Sequence, residues 1–223
     1  MKSYVIRFTP KQRIEHVSVM TLFLVLALTG LPQKFFEASW AQGIISLLGG
    51  IDRVRWIHRL AGILFTLFTA AHLGVISALV VTGRAAMSLV PNRQDFLDAI
   101  QQISYYLGMS DAPAKFDKFD YKQKFEYWGL VLGAVIVIST GLVLLFPILA
   151  TRFLPGEIVP AAKLAHGNEG LMAFLVVIVW HIYNAHLNPD VFPFDTTIFT
   201  GKISTERLHH EHELEYERLK ETE

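Results

Sequence analysis

The chain of 223 residues contains no cysteine. That excludes disulfides, cysteine-ligated zinc, iron–sulfur clusters and covalent heme attachment through a C-x-x-C-H motif, so any redox metal must be held by nitrogen or oxygen ligands. Charge is also scarce. Only 18% of residues are Asp, Glu, Lys or Arg, and 20 acidic side chains balance 20 basic ones. Soluble domains carry about a quarter charged residues, and a nucleic-acid partner requires a basic face that displaces counterions. The chain meets neither condition. What it has instead is 52% hydrophobic residues and a mean hydropathy of +0.38, gathered into four long blocks. Long apolar blocks with few charges are the pattern of a membrane protein.

The blocks predict helices over about 14–32, 56–82, 127–150 and 165–187. Each is near the roughly 20 residues that cross about 30 Å of hydrocarbon. The first, preceded by Arg7, Lys11 and Arg13, has the outline of a signal peptide, but no small-x-small cleavage site follows and three further spans do. It is read as a retained helix. The expected fold is all-α, an integral membrane four-helix bundle over residues 1–190 with a charged cytoplasmic tail over 191–223. If the N-terminus lies inside, the cytoplasmic segments hold 14 of the 20 Lys and Arg residues and the outer segments 6. The positive-inside bias then favours N-in and C-in. The tail is charged at nearly every other position, and its His209, His210 and His212 are read as part of a solvated face rather than a metal site. No internal repeat is evident.

The nine histidines are the remaining candidates for redox ligands, and six of them lie in or at the ends of spans. His16 belongs to the first, His58 and His72 to the second, His166, His181 and His186 to the fourth, and the third has none. Ionisable side chains inside spans are costly, and mark function by default. His58 and His72 are 14 residues apart, within ~40° of one face and ~21 Å along the axis. His166 and His181 are 15 apart, ~60° off one face and ~22 Å along the axis. Spans two and four run in the same direction, so His58 and His166 share an outer level while His72 and His181 share an inner one. His16, on the oppositely directed first span, falls at the inner level as well. Paired imidazoles from facing helices at two depths are what bis-histidine coordination of two stacked b-type hemes requires. Gly62 and Gly170 each follow an outer histidine by four residues, on the same helix face, where a flat macrocycle needs clearance. Gly129 and Gly133 form a small-x-x-x-small pair for close packing of the third helix.

With these residues in place, the sequence resembles the four-helix diheme cytochrome b subunits of respiratory formate dehydrogenases, nickel–iron hydrogenases and thiosulfate-reductase-type enzymes. The resemblance covers nearly the whole chain. It rests on Arg13-Ile-Glu-His16, Thr29-Gly30-Leu31-Pro32, Arg55-Trp-Ile-His58-Arg59, His166 with Gly170, and Trp180-His181-Ile-Tyr183. The tail segment Phe199-Thr-Gly-Lys-Ile-Ser204 is similar to a subgroup that sits beside multiheme cytochromes. The resemblance implies an outer heme on His58 and His166 and an inner heme on His16 and His181. A rival pattern, similar to cytochrome b of quinol-oxidising bc complexes, uses His72 with His181 for the inner heme. Three imidazoles therefore compete for two axial positions, with the Arg-x-x-His start of the first helix favouring His16.

The function implied is an electron-transfer subunit rather than a complete enzyme, in a bacterial or archaeal inner membrane. Two b hemes would pass electrons between a quinone, menaquinone or ubiquinone, and a redox partner on the outer face. That partner would be an iron–sulfur protein, a multiheme cytochrome c, or a molybdenum or nickel enzyme. Arg55, Arg59 and Lys163 stand at the outer level, either for heme propionates or as interfacial anchors. Glu157 and Pro160 cap the outer end of the fourth helix. A stand-alone b561-like or bc-type quinol-oxidising cytochrome and a heme-free histidine-relay transporter or anchor are the competing readings.

Overall fold

The computed structural model describes residues 3–84, 87–189 and 191–221. In chain order its elements are β1 (Tyr4–Ile6), α1 (Pro10–Lys34), α2 (Ser39–Leu47), α3 (Ile51–Val81), α4 (Arg93–Tyr106), α5 (Tyr121–Leu145), the single turn α6 (Pro147–Ala150), α7 (Ile158–Leu187), α8 (Thr197–Thr200), β2 (Lys202–Ser204), α9 (Thr205–Glu211) and α10 (Glu213–Glu221). Four of these, α1, α3, α5 and α7, are long and apolar enough to cross a membrane. Large apolar side chains such as Leu67, Leu132 and Val179 point outward and are more than half exposed. In hydrocarbon such a surface is satisfied by lipid, and the helices pair their own backbone groups.

The helix ends differ from those expected, and prolines and glycines account for most of the difference. The third span stops at Leu145 rather than 150 because Pro147 has no N–H to continue the ladder, and instead opens α6. The fourth begins at Ile158 rather than 165. Pro160 sits in its first turn, where a missing N–H costs nothing. Pro10 likewise opens α1. The α2–α3 connection turns on Gly49 and Gly50, whose φ of 89° and 99° only glycine adopts readily. The loops are less bare than expected: α2 occupies the first and α4 the long one. Asn92 starts α4 with a reciprocal capping box, its side chain accepting from Gln94 N at 2.7 Å while Asp95 accepts from Asn92 N at 2.7 Å. Asp95 also binds Lys124 at 2.6 Å, both groups buried.

By its contacts the chain falls into two units. One consists of Ile14–Leu79 and Leu130–Phe194 and holds most of the four long helices. The other consists of Met1–Arg13, Val80–Gly129 and Asp195–Glu223. These contact units are a different grouping from the expected division into 1–190 and 191–223, whose boundary residue Asp190 lies outside the described residues: the N-terminal strand and the long loop fall in one unit with residues 195–221 of the tail. Nor is the tail a solvated face throughout. Val5 in β1 pairs antiparallel with Ile203 in β2, and Ile203, Leu208, His212 and Glu215 are buried. Its charges are satisfied by partners remote in sequence. Arg7 pairs with Glu215 and donates to Lys118 O, Lys115 binds Glu213 at 2.6 Å, and Arg218 binds Asp117 at 2.7 Å. Arg207 grips both oxygens of Asp195 at 2.8 Å and Glu211 at 2.6 Å, and Ser204 caps α9.

His212 is locked between two groups. Its Nδ1–H donates to Asp117 O at 2.7 Å, so Nε2 accepts from Arg7 Nη2 at 2.9 Å. Burial, and then the adjacent Arg7 guanidinium, push the imidazole down to about 4. The folded value lies below the ordinary one, so protons favour the unfolded state, and stability present above pH ~6.5 is lost as pH falls toward ~4, by up to about 3 kcal/mol. Amide protection factors in α9 and α10, corrected for the intrinsic exchange rate at each pH, are therefore expected to fall between pH 6.5 and 4.5. In His212→Gln, whose amide can donate and accept in the same places without titrating, the fall in protection is expected to be much smaller. Equal acid sensitivity in the two proteins would contradict this assignment.

Candidate functional site

Two imidazole pairs form among the long helices. His58 of α3 faces His166 of α7 with ring centres 6.1 Å apart and planes crossed at 85°. His16 of α1 faces His181 of α7, again at 6.1 Å, with planes 35° apart. All four rings are half-buried. Of the three imidazoles expected at the second level, His16 thus meets His181, whereas His72 turns to Glu15, its Nδ1 lying 3.4 Å from the carboxylate. His186 stacks on Phe194 at 4.2 Å, and His209 lies edge-on to Tyr216 at 4.5 Å. Among the described residues no group of three or more His, Asp or Glu gathers as a metal cage.

The 15-residue interval on α7 is brought into register by its backbone. Val176–His181 is π-helical, as is Tyr183–Leu187. Bonding from i to i+5 takes one more residue into the turn. The interval from His166 to His181 therefore turns through about the angle of 14 α-helical residues, the separation of His58 and His72. The two histidines then lie within ~40° of one face, as His58 and His72 do.

Neighbouring helices hold the first pair. Thr29 Oγ1 on α1 lies 2.9 Å from His58 Nδ1, and Thr140 Oγ1 on α5 lies 3.2 Å from His166 Nδ1, which also bonds Val137 O at 3.0 Å. The residue after each threonine is glycine. A Cβ on Gly30 would stand 3.0 Å from His58 Cε1, and one on Gly141 would stand 3.1 Å from His166 Cε1. Thr140, Gly141 and the role of α5 were not expected from a span without histidine. A signal exists nonetheless: Thr-Gly-Leu occurs at 29–31 and again at 140–142.

The remaining candidates separate. A Cβ on Gly62 or Gly170 meets nothing within 4 Å, so both leave open space beside a histidine. Gly133 does make a close approach, with the Glu169 carboxylate 2.6 Å from where its Cβ would be, while a Cβ on Gly129 meets nothing within 4 Å. Arg59 and Lys163 are exposed, and Arg55 lies 3.8 Å from Asp52. Lys34 approaches the His166 turn, bonding Asn168 at 2.8 Å and passing 3.5 Å from the Cβ position of Gly167.

Residues 7–191 match the family described as prokaryotic cytochrome b561. The chain belongs to that family. It is similar to the formate dehydrogenase cytochrome b556(fdo) subunit of Escherichia coli K12, with 23% identity over 184 residues, 81% of this chain and 78% of the relative. It is also similar to the formate dehydrogenase cytochrome b556 subunit of Haemophilus influenzae, with 28% identity over 181 residues, 81% of this chain and 70% of the relative. The protein is thus a multi-pass membrane cytochrome b that acts in electron transfer, and its family implies b-type heme. The residues present fit that group. Iron bound at about 2 Å to one nitrogen of each of two imidazoles sets the ring centres about 6 Å apart, and both pairs stand at 6.1 Å.

Proposed function

We propose that this cytochrome carries electrons across the membrane through two b hemes, one held by His58 and His166 and the other by His16 and His181. The observation that carries the proposal is the pair of matched imidazole couples, each at 6.1 Å and each between two helices of one unit. When bound, the hemes supply reversible one-electron chemistry, and the chain supplies ligation, spacing and a water-poor surround. Gly62 and Gly170 leave clearance beside the first pair, and Lys34, with Arg59 further out, supplies cations at that level for the carboxylates of the macrocycle. His72 is read as a polar neighbour rather than a ligand, because it is the His16 ring that stands 6.1 Å from His181, while His72 Nδ1 lies 3.4 Å from Glu15.

The distribution of Lys and Arg supports an orientation with both termini inside, which puts the His58–His166 pair near the outer face. The named relatives are formate dehydrogenase subunits. By that analogy a redox subunit docks on the outer face, and a quinone exchanges electrons near the His16–His181 pair. The half-buried His72–Glu15 couple offers that level the hydrogen-bonding groups a quinone headgroup needs. The test is reduction by a soluble quinol analogue under stopped flow. His58→Ala, which retains the heme of the second pair, is expected to be reduced rapidly, and His16→Ala, which retains only the first, at least tenfold more slowly. The reverse order would place quinone at the other level.

A further inference from the structure

The first pair is held by an element that occurs twice. Thr29 donates its hydroxyl hydrogen to Val25 O at 2.7 Å, so toward His58 Nδ1, 2.9 Å away, it acts as an acceptor. Thr140 likewise donates to Ile136 O at 2.5 Å and faces His166 Nδ1 at 3.2 Å. For His166 the carbonyl one turn earlier, Val137 O at 3.0 Å, adds a second acceptor. A carbonyl oxygen only accepts. Both rings therefore carry hydrogen on Nδ1 and present the Nε2 lone pair. The following glycine lets the ring lie flat against the helix, since a Cβ there would meet Cε1 at 3.0 Å for Gly30 and 3.1 Å for Gly141. The same Thr–Gly element thus grips two rings from two different helices.

We propose that Thr29–Gly30 and Thr140–Gly141 are positioning residues that cross the two imidazole planes of the first pair and fix both as Nδ1-protonated ligands. The heme held there then differs in kind from the one held by His16 and His181. This rests on the proposed function, in that His58 and His166 are taken as ligands. The physical consequence follows from ligand orientation. Planes crossed at 85° engage different iron d orbitals and leave them nearly degenerate, whereas planes 35° apart engage one more than the other and split them. Near-degeneracy gives ferric low-spin iron one dominant, very large g value, and a split pair gives three resolved ones. Hydrogen bonding at Nδ1 also raises ligand basicity, which favours the ferric state and lowers the potential.

The test is low-temperature EPR with redox titration of the purified holoprotein. Unmodified protein is expected to show one large-g signal and one rhombic signal. His58→Ala is expected to abolish the first and His16→Ala the second. In Thr29→Val with Thr140→Val, the large-g signal is expected to move toward the rhombic form and the midpoint of that heme alone to rise. Thr29→Ser with Thr140→Ser is expected to restore both. Gly30→Ala, which pushes the His58 ring without touching the hydroxyl, is expected to change the g value without the rise in midpoint. Two rhombic signals in the unmodified protein overturn the inference. An unchanged large-g signal and midpoint in the double valine variant does so too, even with the hemes retained. Absence of b heme altogether is the separate failure of the proposed function.

Discussion

Replacing His16 with alanine is expected to remove one of two hemes, and replacing His72 with alanine to remove none. The two residues lie at one level, and the sequence supports either as the partner of His181. The structure pairs His16 with His181 at 6.1 Å and turns the His72 Nδ1 toward Glu15 at 3.4 Å. A metal–imidazole bond tolerates displacements of only a few tenths of an ångström, and it is the His16 ring that stands at the required spacing from His181. Pyridine hemochrome per mole of protein reads the difference directly: half the heme in His16→Ala, a full complement in His72→Ala. Loss in the His72 variant with retention in the His16 variant would reverse the assignment.

The π-helical segment gives the second large effect, and an asymmetric one. If Val176–His181 accommodates one surplus residue, deleting Val177 is expected to turn the segment into ordinary α-helix while leaving His166 and His181 on one face. Both hemes then stay. Inserting one alanine after Val177 is expected to swing His181 by about 100° and cost the second heme. A regular α-helix would suffer equally from deletion and insertion. Heme loss in the deletion variant therefore contradicts the account, and helical content by circular dichroism separates a lost ligand from a lost fold.

The four spans and the pairing levels of the histidines were legible in the sequence because both follow from periodicity and length, which are local properties. What escaped it was set by contacts remote along the chain. The tail reads as a solvated run of alternating charge, yet Arg7, Asp117 and Lys115 complement Glu215, Arg218 and Glu213 across the sequence, and His212 is buried among them. No local pattern announces such pairings. The choice between His16 and His72 likewise hinges on which ring faces His181, a matter of packing between helices. The 15-residue interval on α7 appears as a mismatch under α-helical geometry and is absorbed by a backbone form that has no simple sequence signature. Thr29–Gly30 and Thr140–Gly141 were visible as a repeated tripeptide, but their meaning depends on which rings lie opposite.

The central claim is that two histidine pairs each hold a b heme in this cysteine-free chain. A reduced-minus-oxidised absorbance spectrum of the purified protein, calibrated by pyridine hemochrome, tests it most directly. The account predicts a b-type α band after dithionite reduction and two noncovalently held hemes per chain, extractable with acidified solvent. No α band, or a single heme that survives in the His58→Ala, His166→Ala double variant and in the His16→Ala, His181→Ala double variant alike, would contradict it.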